Sequence, residues 1–230
     1  MPRYLDDVTR TLPMFPLSSV LFPGAALPLH VFEDRYRALV HALLRIEDPA
    51  ERLFGTVAIR EGYEVGEHGV QSLHAIGCLL QLTDVESNPD GSFEIEAVAR
   101  GRIRLHHLDP TGTYPEGEVD LLPEEEEQVS PAVVEHARGL WGEYADELAA
   151  MGGGEPVVEG TLPRDPVYLS WALASATLLT MKERQRLLEA PDAEDRLTQV
   201  ARMLREELRS IRAIPSLPAV RVARTAWSPN

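Results

Sequence analysis

Residues 12–32 read LPMFPLSSVLFPGAALPLHVF. The run is apolar, yet it holds four prolines and the turn-forming pair Pro23-Gly24. Proline removes a backbone donor and clashes with the preceding turn, so no helix can run through this stretch. Proline also interrupts a ladder, and Pro-Gly marks a turn. Short strands broken at Pro16, Pro23-Gly24 and Pro28 are what remains. Such strands need a sheet to receive them, and the next part of the chain supplies it.

Glu33-Asp34 opens a helix to about Arg45. Its apolar residues Tyr36, Leu39, Val40, Leu43 and Leu44 fall on one helical stripe. Two acids in the first turn suit the helix dipole. Leu53 to Arg60 reads as a strand, and His74 to Val85 as another. Ser87-Asn88-Pro89-Asp90-Gly91-Ser92 is a turn, with proline presetting φ and glycine taking the positive-φ position. It leads into a strand from Phe93 to His106, where Phe93, Ile95 and Ala97 alternate with Glu94 and Glu96. Tyr114 to Leu122 gives one more. Beyond an acidic linker, Glu124 to Glu127, the pattern turns helical. Ser130-Pro131, Asp165-Pro166, Thr180 and Asp192 are four helix starts. The stripe of the last helix is Leu197, Val200, Ala201, Leu204, Leu208 and Ile211.

Charge and cysteine content narrow the chemistry. The 230 residues carry 22 basic and 37 acidic side chains, a net charge of −15. That sign repels phosphate backbones and anionic membranes, so nucleic-acid binding requires a local basic patch. Cys78 is the sole cysteine. It excludes an internal disulfide and a multi-cysteine metal site, and its apolar neighbours mark it as a buried small hydrophobe. No apolar run reaches the roughly 18 residues a membrane span needs, and the first residues do not read as a signal peptide. A cytoplasmic location is expected.

Lys182 is the only lysine. A phosphate-binding loop needs Gly-Lys-Ser/Thr, because the lysine reaches the β/γ-phosphates. Lys182 lies between Met181 and Glu183, so these residues hold no such loop. A Ser-Lys dyad would need the same lysine, on an amphipathic helix. There is no Gly-x-Ser-x-Gly elbow. His30, His41, His68, His74, His106, His107 and His136 show no His-Glu-x-x-His spacing. His106 and His107 are adjacent on a strand end and are expected on opposite faces. No catalytic residue, cofactor or metal ligand is expected.

The N-terminal string, Leu12-Pro13-Met14-Phe15-Pro16-Leu17, Leu21-Phe22-Pro23-Gly24, Leu27-Pro28-Leu29-His30-Val31-Phe32-Glu33 and Arg35-Tyr36, resembles the N-terminal (LON) domain of Lon-type ATP-dependent proteases. Phe54-Gly55, Glu64-Val65-Gly66, Ile76-Gly77 and Arg100-Gly101-Arg102 agree with it. The likeness covers roughly residues 10–212. His30 looks like the stand-alone members of the family. The resemblance implies an α+β chain: a PUA-like β-rich LON domain over residues 10–122, then a helical bundle over 128–213 and an extended tail over 214–230. It implies recognition of polypeptides, unfolded or degron-bearing, by a non-catalytic module that lacks the ATPase and peptidase of full-length Lon. A protease or ATPase partner fits that reading. RNA binding through the PUA-like fold is the alternative.

Candidate polypeptide-binding residues are Glu33, Arg35, Tyr36, Arg100 and Arg102. Arg100, Arg102 and Arg104 alternate, which places them on one strand face. Phe15, Leu17, Leu21, Phe22, Leu29 and Phe32 are expected in the core, as are Trp141 and Trp171. The binding groove is expected on the β domain or at its seam with the helices.

Overall fold

The computed structural model describes residues 9–60, 72–124, 129–152 and 161–213. The Glu64-Val65-Gly66 loop, most of the acidic linker, and the tail with Trp227 lie outside the described residues. The chain divides into two compact units, Met1–Glu124 and Glu125–Asn230.

The first unit is a curled antiparallel sheet with one α-helix. Its strands are β1 (Arg10–Pro13), β2 (Ala26–Val31), β3 (Leu53–Ile59), β4 (Leu73–Ser87), β5 (Phe93–Asp109) and β6 (Glu116–Leu122). Helix α1 (Asp34–Leu44) lies between β2 and β3 in sequence. The sheet order is β1-β6-β5-β4-β3, with β2 paired to β5. Beyond β1 the chain runs alongside β3 in parallel, through bridges Met14 to Gly55 and Leu17 to Ala58. Phe15 N–H donates to the Gly55 carbonyl at 2.8 Å and Leu17 N–H to the Val57 carbonyl at 3.0 Å. Pro16, which has no N–H, falls between those two donors. The proline run therefore joins the two ends of the sheet, β1 and β3.

Glycines make this closure possible. Met14 is fully buried. A Cβ at Gly55 would lie 2.5 Å from Met14 Sδ, and one at Gly117 would lie 2.7 Å from Met14 Cγ. Met14 thus fills space that two side chains would otherwise occupy, among Val57, Leu73, Ile103, Leu105 and Val119. Gly77 is still tighter, because a Cβ there would overlap the backbone carbonyl oxygen of Thr56 on β3.

Bulges correct the simple alternation expected for β5. Leu80 pairs with Ala99 but Leu79 pairs with Gly101, which leaves Arg100 as an extra residue. Arg100 therefore does not share one regular face with Arg102 and Arg104. Leu105 pairs with Val119 and His107 with Glu118, so His106 is extra in the same way. Both histidines are exposed, contrary to the opposite-face expectation. The Asn88–Ser92 turn is as the sequence indicates: Gly91 has φ +83°, and Asn88 N–H donates to the Ser92 carbonyl at 2.9 Å.

The expected core of the proline run is only partly correct. Met14, Phe15, Val20 and Phe22 are buried, and Leu17, Leu21 and Leu29 are half-buried. Phe32 is 55% exposed. β2 explains the difference: as a strand paired to β5 alone among the described residues, it turns Leu27, Leu29 and Val31 inward and Ala26, Pro28 and His30 outward. On that outer face Glu86 sits opposite Glu94 and Asp84 opposite Glu96, all exposed. Like charges directly opposed are unfavourable. His30 Nδ1 meets Glu94 Oε1 at 2.5 Å.

The second unit holds α2 (Pro131–Gly152), α3 (Pro166–Ala176), α4 (Met181–Leu188) and α5 (Ala193–Ala213). Asp165 caps α3 by accepting from Val167 and Tyr168 N–H, and Thr180 with Glu183 forms the capping box of α4. Helix α5 contacts α2, α3 and α4. Trp141 and Trp171 are buried. So is Arg196, which the apolar stripe does not announce. Its Nε donates to Ser170 Oγ at 2.8 Å, and its guanidinium lies 3.3 Å from the Trp171 ring centroid.

Gly77→Ala is expected to destabilise the chain by roughly 2–4 kcal/mol, because backbone must move to admit the methyl group. Urea unfolding should show an earlier midpoint with an unchanged slope.

Candidate functional site

Glu33, Arg35 and Tyr36 meet at the start of α1. Glu33 is the N-cap residue, but its side chain makes no capping bond. Instead its carboxylate takes Arg35 Nη2 at 2.8 Å. The Arg35 guanidinium lies 4.6 Å from the Tyr36 ring centroid, and that ring stacks on Phe15 at 4.0 Å. Tyr36 is buried, and burial raises its phenol pKa above the ordinary value. This chain of contacts ties the helix start to the proline run. Arg100 and Arg102 have other partners. Exposed Arg100 donates from Nε to Gln81 Oε1 at 2.7 Å. Arg102 is buried, paired on β5 with Cys78 and Leu122, and its Nε is 2.9 Å from Glu124 Oε1.

A different surface of α1 borders an open cleft of about 440 Å³. Arg37, His41 and Leu44 line it from the helix, and Val85, Ser87, Gly91 and Phe93 from β4, the turn and β5. The helical residues stand at i, i+4 and i+7, so they form one stripe. Leu44 is 37% exposed, which removes it from the core stripe expected for this helix. The His41 ring meets Phe93 edge-on, with centroids 5.1 Å apart. Arg37 Nη1 donates to Asp34 Oδ1 at 3.0 Å. Gly91 leaves the guanidinium room, since a Cβ there would lie 2.7 Å from Arg37 Nη2. The cleft therefore offers an apolar wall and one cationic end. None of these lining residues was a sequence candidate. The available signal was the second stripe of α1, 37-41-44, beside the buried one.

No group of three or more His, Cys, Asp or Glu side chains among the described residues is placed to hold a metal ion. No described helix is long and apolar enough to cross a membrane.

A model of the ATP-dependent protease La (LON) substrate-binding domain matches residues 11–206. Lon protease 2 of Syntrophobacter fumaroxidans is 27% identical over 219 residues, covering 90% of this chain and 25% of the relative. Lon protease 1 of Thermus thermophilus is 26% identical over 210 residues, covering 88% and 25%. The chain thus spans about a quarter of the length of these curated relatives. The crystal structure of a Lon N-terminal domain protein from Xanthomonas campestris aligns with TM-score 0.58 and 27% identity, covering 83% of this chain and 96% of that one. The N-terminal domain of a Mycobacterium avium complex Lon protease aligns with TM-score 0.57 at 20% identity, which speaks to fold alone.

Arg102→Ala should cost roughly 1–3 kcal/mol by stranding Glu124, whereas Arg100→Ala should stay within about 0.5 kcal/mol. Thermal or urea unfolding separates the two. Burial pushes the Cys78 thiol up to about 12, against a smaller lowering by Arg102. At pH 8 it is therefore protonated as well as buried. Ellman's reagent should leave it untouched in the native chain and titrate it once urea unfolds the protein.

Proposed function

The chain belongs to the ATP-dependent protease La (LON) substrate-binding domain family, and from that premise we propose that it is a polypeptide-recognition module whose clients enter the cleft beside α1. The observation that carries this reading is the cleft itself: Leu44, Val85 and Phe93 give an apolar wall beside Arg37 and His41, all on the LON unit. Binding sites of this kind combine apolar anchors with a few polar groups that fix orientation. Glu33, Arg35 and Arg100 are read as outlying charges that a client meets. Tyr36 and Arg102 are read as supports, since both are buried. In its finer description the β unit is PUA-like and the helical unit a bundle.

Within these 230 residues the reading is binding without hydrolysis, in line with a single lysine that stands outside any phosphate loop or Ser-Lys dyad. A protease or ATPase partner would act on what the module holds. A cytoplasmic location fits this role.

The test uses carboxymethylated α-lactalbumin, a permanently unfolded protein, as the client. Val85→Ser and Leu44→Ser should each weaken its binding about tenfold, the loss of roughly 1.4 kcal/mol of apolar contact. Unchanged affinity in both variants would remove the cleft from consideration. A 20-nucleotide RNA serves as the control. Binding that falls steeply with salt would transfer the function to nucleic acid.

A further inference from the structure

We infer that the cleft takes the C-terminal end of a client polypeptide, with the terminal carboxylate at Arg37 and the preceding apolar side chains along His41, Val85, Phe93 and Leu44. The inference rests on the polypeptide-recognition reading of this cleft and adds which part of the client it holds.

Length comes first. From residue 37 to residue 44 the helix rises about 10 Å, which an extended chain covers in about three residues. The cleft is therefore sized for the end of a chain or a very short stretch of it. Direction comes next. The Arg37 guanidinium lies against Gly91, where even a methyl group would collide with it at 2.7 Å. The cation of the cleft thus stands at the turn end of the stripe, and the apolar residues follow it toward half-exposed Leu44. That order matches a terminal carboxylate with apolar side chains before it.

Charge agrees with the geometry. An anionic group approaching a chain of net charge −15 needs a local cation. Arg37 supplies it, with the His41 ring one turn along the same stripe. Arg37 spends Nη1 on Asp34, whose side chain is 97% exposed. Such a solvent-screened pair contributes little and exchanges readily. Arg37 Nη2, beside Gly91, is not part of that pair. The guanidinium thus keeps donor capacity that a carboxylate would use in charge-assisted bonds.

The experiment uses the intact 230-residue chain and one fluorescein-labelled peptide, Gly-Ser-Ala-Ala-Val-Leu, made as free acid and as C-terminal amide. Anisotropy should give about tenfold tighter binding for the acid, as expected for one charge-assisted contact. Arg37→Gln should lower the acid to the affinity of the amide. Arg37→Lys, which keeps the charge, should retain most of the acid's advantage and guards against misfolding of the first variant. Equal affinity of acid and amide, with amide shifts at Val85 and Phe93, would overturn the inference while leaving the cleft a polypeptide site. An acid preference that survives Arg37→Gln would also overturn it. If neither peptide binds, both the inference and the cleft's polypeptide role fail.

Discussion

The join between the proline run and β3 is the constraint on which the first unit depends. Without the bonds from Phe15 and Leu17 to the β3 carbonyls, β1 and β3 would be two open edges. The bond set holds shut a sheet that its own twist and the β5 bulges already curl. Closure forces side chains from opposite sides of the ring into a small interior. The solution is one flexible residue, Met14, set between Gly55 and Gly117. A long unbranched thioether adapts to such a space better than a branched side chain. The two glycines of β3 and β4, Gly55 and Gly77, thus set how closely the backbone segments approach.

The same join places the surface where binding is proposed. Phe15 leaves the join and stacks on Tyr36, which fixes the first turn of α1. Once that turn is fixed, helical geometry dictates where Arg37, His41 and Leu44 point. The β4–β5 turn fixes the other wall through Val85, Gly91 and Phe93. A ring closed for packing reasons therefore carries a cleft whose walls come from separate parts of the chain.

Much of this was legible from sequence. Proline and glycine punctuate the chain strongly, so β3, β4, β5, β6 and α1 fall close to their expected places. The caps at Asp165 and Thr180 were legible because each needs only a short-range pattern. What was not legible depends on long-range pairing. The bulges at Arg100 and His106 break period-two alternation, and nothing in β5 alone marks them. Phe32 reads as core from its neighbours, yet it follows β2 in phase with the outward residues Ala26, Pro28 and His30 and is exposed. Arg196 has the charge of a surface residue, but Ser170 and Trp171 make a buried place for it. The cleft was missed because its two walls lie far apart in sequence.

Pro28 sits in the middle of β2, between Leu27 and Leu29. The bond from Ala99 N–H to the Ala25 carbonyl sets the phase of the β2–β5 ladder, so the missing N–H of Pro28 falls on the side away from β5. A module proposed to bind extended polypeptides would risk having one zip onto its own sheet as an added strand. With a donor absent from the middle of that edge, and carboxylates on the face beside it, β2 is a poor template for such growth. On the proposed reading, a client in the cleft would stay a guest and would not become a strand of its host.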